Sequence, residues 1–459
     1  MSPITKPTTT AIPFTVGVAL DGAGWHPAAW RDPGAQPDAL FSPEYWTGLL
    51  TAADHSGLDY VSIEDALTLQ GEARHPAPGP IAGIVSGRLD ALLTASWTAP
   101  RTSRIGIIPT VTTTHTEPFH VATALQTLDH VSGGRAGWQL KISGDAAAAA
   151  AFGRRPAPEI NRDRVRAGLP EPALTELLDE AGDVTEVARS LWDSWEHDAI
   201  IRDEATGRFL DRDRVHHINF EGEHFSVTGP SIVPRSPQGQ LPITLLAHSP
   251  AVYALAARGA DVVFVTPGTQ SAADIIGQVR AAEHAAAADR AAAGLAPLRI
   301  VADLVVALDH GSETGGARLT RLDRTAGIRF ANEGSDARVV AGSAASIAAE
   351  IAALQEAGVD GVRLRPLTLP ADLAAITRDL LPVLAERGIH TPDPNPTSLR
   401  ARFGLDPAAN RYAASPQEAP PTTPLPTPQP RRSQHEHEAA SPPAGTTPGP
   451  PGRALPRRQ

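Results

Sequence analysis

Apolar residues along this chain recur in two rhythms that take turns, and their order predicts a parallel α/β fold. Residues 105–114 are rich in Ile, Val and Thr and predict a strand. Residues 117–130 place Phe119, Val121, Ala122, Leu125 and Leu128 at helical spacing. Thr116 is the expected cap of that helix, Pro118 suits its first turn, and Gly133 and Gly134 end it. Residues 135–143 alternate again through Trp138, Leu140 and Ile142, as a second strand does. Strand, crossover helix and strand form one right-handed βαβ unit with parallel strands. The polar strand ends Thr110, Thr112, Thr113, Thr114, His115, Gln139, Lys141 and Ser143 then emerge on one face, where parallel α/β folds keep their ligands.

The same alternation runs along most of the chain. Strands are expected at 14–20, 60–65, 241–247, 261–266, 298–308 and 361–365. Helices are expected at 43–57 behind Ser42, 89–97, 176–195, 249–258, 271–293, 343–356 and 371–386. Residues 71–87 read as a loop, 145–172 as an insertion or lid, and 218–227 as a hairpin. Eight strands alternating with helices suit a (β/α)8 TIM barrel with insertions better than an open doubly wound sheet. Three regions follow: a loose lead-in over 1–13, a barrel domain over 14–412, and a tail over 413–459. The tail holds 13 prolines in 47 residues and almost no large apolar side chains, so it is expected to be disordered.

Composition narrows the chemistry. The 459 residues include no Cys, which removes disulfides, thiolate metal sites and Cys nucleophiles. A net charge of −11 argues against general nucleic-acid binding. No apolar run approaches the roughly 18 residues of a membrane helix, and the amino end carries no secretory signal, so a cytoplasmic protein without membrane attachment is expected. Metal ligation is not expected: His115, Glu117 and His120 have suggestive spacing, but Glu117 sits at a helix start beside Pro118. The run 133–137, GGRAG, follows a helix and so stands in the wrong place for a dinucleotide fingerprint.

The remaining candidates each have a plain alternative. Ser249, before Pro250, opens a helix whose free N–H groups suit a phosphate, or it is an ordinary cap. Thr110 and Thr112 hydrogen-bond a polar ring, or they are simply good strand residues. Glu64 and Asp65 end the second strand and bind a ring N–H, or serve a local turn. His26 is a general acid or base, or a satisfied structural His.

Several stretches together resemble the bacterial luciferase-like flavin monooxygenases, in the branch containing nitrilotriacetate and dibenzothiophene-sulfone monooxygenases. They are GWHPAAWR (24–31), LDYVSIEDAL (58–67), TVTTTHTEPFHVATALQTLDHVSGGRAGW (110–138), LWDSWEHDA (191–199), HFSVTGPSIVPRSPQGQ (224–240), VDGVRLRP (359–366), LRARFGL (399–405) and ANRY (409–412). The resemblance implies a (β/α)8 barrel. It also implies reduced FMN delivered by a separate NAD(P)H-dependent flavin reductase, O2 as co-substrate, a small organic substrate and a homodimer. Carried over by position, Asp65 matches the family's acid near the flavin, Thr110 and Thr112 its third-strand hydroxyls, and Ser249 the start of its phosphate-binding turn. Two departures stand out. The family's His and Tyr ahead of the LWDSW helix fall on Leu174 and Leu178, and His248 with Pro250 replaces a small, AGSS-like turn, leaving His248 as a substitute phosphate contact. A deazaflavin-dependent oxidoreductase on the same barrel, or a barrel that binds without catalysis, are the alternatives.

Overall fold

Near-continuous apolar strands, buried on both faces, are what a closed parallel sheet requires. The computed structural model describes residues 12–70, 83–166, 169–393 and 398–413. The expected lead-in up to residue 11, most of the 71–87 loop and the proline-rich tail from 414 lie outside the described residues. Eight parallel strands close a ring: β1 (Thr15–Leu20), β2 (Tyr60–Ile63), β3 (Gly106–Thr112), β4 (Trp138–Lys141), β5 (Ile243–Leu246), β6 (Val262–Val265), β7 (Arg299–Leu308) and β8 (Gly361–Pro366). β8 returns to β1 in the register Gly361 opposite Thr15, which completes the (β/α)8 barrel.

One irregularity falls at β7. Its first half pairs with β6, from Arg299 opposite Val262 to Ala302 opposite Val265. Its second half pairs instead with an additional strand, Arg338–Gly342, from Leu304 to Leu308. That strand and the helix before it, Gly315–Ala326, fall in a stretch the apolar pattern left blank. The helix buries only Gly315, Arg318 and Leu322, so its periodic signal is faint.

The amino-terminal end of the barrel is filled by Tyr60, Ile108, Val262, Phe264 and Val301, packed against Leu399, Phe403 and Leu405 of the LRARFGL segment. Gly17 gives the Tyr60 ring its space, since a Cβ there would lie 2.3 Å from the ring. Arg402 holds the segment in place through Asp59 Oδ1 at 3.3 Å and the Arg104 carbonyl at 2.6 Å. Ahead of β3, Asp54 accepts the backbone N–H groups of Ser103, Arg104 and Ile105. Burial alone would raise this carboxyl, but those donors outweigh it and hold it below the usual carboxylate range.

Helix starts largely follow the sequence. Ser42, Asp90, Ser271 and Ser343 cap their helices through their side chains. Thr116 does not: its hydroxyl donates to the carbonyls of Thr112 and Thr113, and helix Pro118–Ser132 begins from Glu117 with no side-chain cap. The expected helix over 271–293 breaks at Ala286 into Ala272–Ala285 and Ala287–Ala292. Helix Pro172–Asp193 starts earlier than its apolar pattern, at a proline in the first turn. The insertion contains the short helices Ala146–Phe152 and Arg162–Arg166. The hairpin pairs Phe220–Glu221 with Ser226–Val227, and a second, more exposed one pairs Ile200–Asp203 with Arg208–Leu210.

Candidate active site

Above the apolar plug the barrel interior turns polar. Asp303 of β7 lies between Arg363 and Arg365 of β8, and all three side chains are fully buried. Arg363 donates from Nε to Asp303 Oδ1 at 2.8 Å and from Nη2 to Oδ2 at 2.5 Å. Its Nη1 reaches Ser62 Oγ and Glu64 Oε1, each at 3.2 Å, and Gln139 Oε1. Gln139 in turn donates to both Glu64 oxygens, at 3.0 and 3.2 Å. Arg365 donates to Asp303 and, at 2.6 Å, to Asp336. The guanidinium of Arg363 lies 3.9 Å from the Phe264 ring centre, and that of Arg365 4.3 Å from Trp25. Burial would lower both guanidinium pKa values, yet Asp303 overrides it and pushes them up. The web thus ties β2, β4, β7 and β8 together beneath the carboxyl-terminal rim.

The web was not read from sequence, although a signal was present. Arg363 and Arg365 stand two apart in VDGVRLRP, on one face of a buried strand, and a lone acid, Asp303, interrupts IVADLVVAL. Two buried cations on one strand face require a buried acid on a neighbour.

The candidates named from sequence divide by location. Thr110 and Thr112 share the face of β3 that carries Ile108 into the interior. Both are buried, and the Thr110 hydroxyl has no partner. Asp65 sits at the end of β2, but its carboxylate is engaged: Oδ1 accepts from Ala66 N–H at 2.7 Å and Oδ2 from Ala91 N–H at 2.9 Å. It thereby positions the start of helix Ala91–Thr98, and burial pushes its carboxyl up. Lys141 Nζ donates to the Asp65 carbonyl at 2.6 Å, linking β4 to the same corner.

Ser249 is the N-cap residue of helix Pro250–Gly259, as the sequence indicates, but its side chain caps no N–H of that helix. His248 is already committed, with Nδ1 3.0 Å from Thr266 Oγ1 and Nε2 3.3 Å from Asp336 Oδ2. Burial would raise Asp336, but the His248 hydrogen bond and the Arg365 charge overcome it and hold its carboxyl well below the usual range. His248 therefore reaches a phosphate only by releasing Asp336. Leu174 and Leu178 pack into the hydrophobic core.

His26 is buried in the loop after β1. Its Nδ1 accepts the Ala28 N–H at 3.0 Å, so Nε2 carries the proton and donates to Asp323 at 3.1 Å. The ring lies 4.9 Å from Phe330, and burial lowers its pKa. In this geometry it latches the loop to helix Gly315–Ala326, and neither nitrogen is free for a substrate. Among the described residues no group of three or more His, Cys, Asp or Glu side chains could hold a metal ion. No helix among them is long and apolar enough to cross a membrane.

A closed (β/α)8 barrel with polar residues converging on the carboxyl-terminal rim is the scaffold of an enzyme whose loops set its chemistry. Residues 23–315 match the sequence profile of the Luciferase-like monooxygenase family, and the chain belongs to that family. It is similar to N-acetyl-S-(2-succino)cysteine monooxygenase of Bacillus subtilis (strain 168), 30% identical over 455 residues, covering 87% of this chain and 98% of the relative. It is also similar to nitrilotriacetate monooxygenase component A of Aminobacter aminovorans, 32% identical over 260 residues, covering 56% of this chain and 54% of the relative. Among solved structures, long-chain alkane monooxygenase matches with a TM-score of 0.69 at 21% identity, covering 86% of this chain and 96% of that one. The last match concerns the fold alone. The chain is an enzyme of the flavin-dependent monooxygenase class.

Proposed function

We propose that this chain is the oxygenase component of a two-component system. It takes reduced FMN from a separate NAD(P)H-dependent reductase and uses it with O2 to oxygenate a small organic substrate. One observation carries the cofactor part: Ser249 opens helix Pro250–Gly259 without using its hydroxyl as a cap. Pro250 has no N–H and the Val252 N–H bonds the Ser249 carbonyl, so the Ser249 hydroxyl and the Ala251 N–H are the groups left to meet a phosphate at the positive end of the helix dipole.

The residues present fit a flavin. The unpartnered hydroxyl of Thr110, with Thr112 on the same strand face, offers hydrogen bonds to a polar ring. The Asp303–Arg363 web fixes the floor of that space, and the Asp65 contact fixes its corner. Reduced FMN, when bound, supplies the electrons and activates O2. The chain's own part is to hold it, orient it and keep water away. His26 enters through the loop it fixes, not as a proton donor. A deazaflavin on the same barrel is the second reading, kept because Leu174 and Leu178, packed into the core, stand where the resemblance implies polar flavin anchors.

The relatives' names point to first substrates: compounds bearing carboxylates beside a thioether or amine, as in N-acetyl-S-(2-succino)cysteine and nitrilotriacetate. A homodimer belongs to this reading. Leu93 and Trp97, one turn apart on helix Ala91–Thr98, are exposed apolar residues, with Arg101 stacked on the Trp97 ring, and a monomeric mass in light scattering would remove that part.

Ser249→Asp tests the phosphate placement by putting a carboxylate where the phosphate belongs. FMN titration followed by flavin fluorescence is expected to show affinity reduced about tenfold or more. An unchanged affinity would show that the phosphate sits elsewhere. Tight deazaflavin binding without FMN binding would favour the second reading.

A further inference from the structure

His115 is a residue that the fold treats poorly. Its φ of 71° is left-handed, a conformation that disfavours any residue with a Cβ. It is 7% exposed, yet neither ring nitrogen has a hydrogen-bond partner. Both features cost stability, and neither arises by default, because the flanking residues are pinned. Thr114 Oγ1 accepts the Ser143 N–H at 3.0 Å, and Thr116 donates to the Thr112 carbonyl at 2.7 Å. The strained residue is held between two anchored neighbours at the rim of β3.

Its one contact of note uses only the ring face. Phe152, at the end of the insertion helix Ala146–Phe152, stacks on it with centres 5.5 Å apart and planes at 20°. A phenyl ring would satisfy that contact equally, so stacking does not account for an imidazole. The charged groups that bear on the ring are Arg155 of the insertion and Glu180 of helix Pro172–Asp193, and they pair with each other at 2.5 Å. Burial, then Arg155, lower the His115 pKa against the opposing effect of Glu180, so the ring is neutral and offers one N–H donor and one lone pair.

A donor and an acceptor on one rigid ring match hydroxyl and phosphate oxygens. Thr110 lies five residues upstream, within β3, its hydroxyl also unpartnered. Five residues reach at most about 16 Å, of the order of a flavin's own length, and the turn at His115 brings the two side chains closer than that. We propose that His115 is a contact residue for the oxygen-rich tail of the flavin, with the ring end lying toward Thr110. The proposal rests on the flavin reading above and adds to it a residue from the turn after β3 and a roof from the insertion.

The test uses three flavins: FMN, riboflavin, which lacks the phosphate, and lumiflavin, which lacks the tail. Each is titrated by fluorescence into the full chain and into His115→Phe and His115→Asn. His115→Phe keeps the stack and removes both nitrogens. It is expected to melt no lower than the parent, to weaken FMN about tenfold and to leave lumiflavin unchanged. Riboflavin weakened equally places the contact on the ribityl hydroxyls, and riboflavin unaffected places it on the phosphate. His115→Asn should restore part of the loss. In the parent protein, the ring nitrogen resonances of His115 should shift with FMN and not with lumiflavin, a readout that survives if a variant fails to fold. FMN binding that ignores both substitutions, or lumiflavin weakened as much as FMN, overturns the assignment and leaves the flavin reading intact. A parent protein that binds none of the three overturns both.

Discussion

Asp303→Asn should cost this barrel about 3–5 kcal/mol, the range measured when one partner of a buried ion pair is removed. The side chain is the shared acceptor of two fully buried guanidinium groups, Arg363 and Arg365. An amide offers one acceptor oxygen and turns its NH2 toward a cation, so both guanidinium groups lose the buried charge they share and keep only their rim-side partners. Glu64 and Asp336 cannot take over, because each already meets one of the two arginines from the rim side. Urea unfolding of the purified variant measures the loss, and a midpoint close to the parent's would show that the web is not a source of stability. The informative control is Asp303→Asn combined with Arg365→Met, which removes charge in balance. It should recover part of the loss, since buried pairs often exchange for apolar groups at little cost.

Arg135→Ala should destabilise the chain by about 3 kcal/mol or more, because it strands several buried acceptors together. This guanidinium donates to the carbonyls of Ser132, Ile105, Ala99 and Thr102 and to the Thr102 hydroxyl, at 2.7 to 3.0 Å. Those carbonyls belong to the turn leaving helix Pro118–Ser132 and to the segment entering β3; of them, Ala99 also accepts from the Thr102 hydroxyl at 3.0 Å, so its loss is the mildest. Arg135→Lys delivers one ammonium to a site built for a planar fork and should recover only a minor part. Thermal melting of both variants reads the effect. Flavin affinity measured well below the melting transition should stay near the parent's, since Arg135 lies at the opposite end of β3 from the rim.

That second case explains why the fold was so legible. The run LDHVSGGRAGW is diagnostic because nearly every position in it holds structure. Asp129 accepts Gln238 N–H and side-chain Nε2, and Gly133 takes the left-handed turn that ends the helix. A Cβ on Gly137 would press within 2.9 Å of Leu399, and Trp138 donates to the Val111 carbonyl. Strand periods, caps at Ser42 and Ser343, and the order of elements were readable because local chemistry decides them. The site was less so. Asp65, His248 and His26 were named for what their types can do, but hydrogen bonds from sequence-distant partners decide what they do here. Asp65 is engaged by Ala91, His248 by Asp336 and His26 by Asp323. Thr110 shows the converse, since its lack of a partner emerges only once the barrel closes around it. The stretch before β8 hid a strand and a helix because both face solvent on most sides.

The departure of β7 from β6 beyond Ala302 leaves the wall with a seam. Below it, main-chain ladders join the staves; above it, β7 leans on Arg338–Gly342, and the tip of β6 is held across the gap by the relay from Thr266 through His248 and Asp336 to Arg365. Side-chain ties exchange partners without disturbing a backbone ladder. Along this one line the rim between Ser249 and the buried arginines is therefore closed by side chains instead of backbone, a hem stitched by four residues.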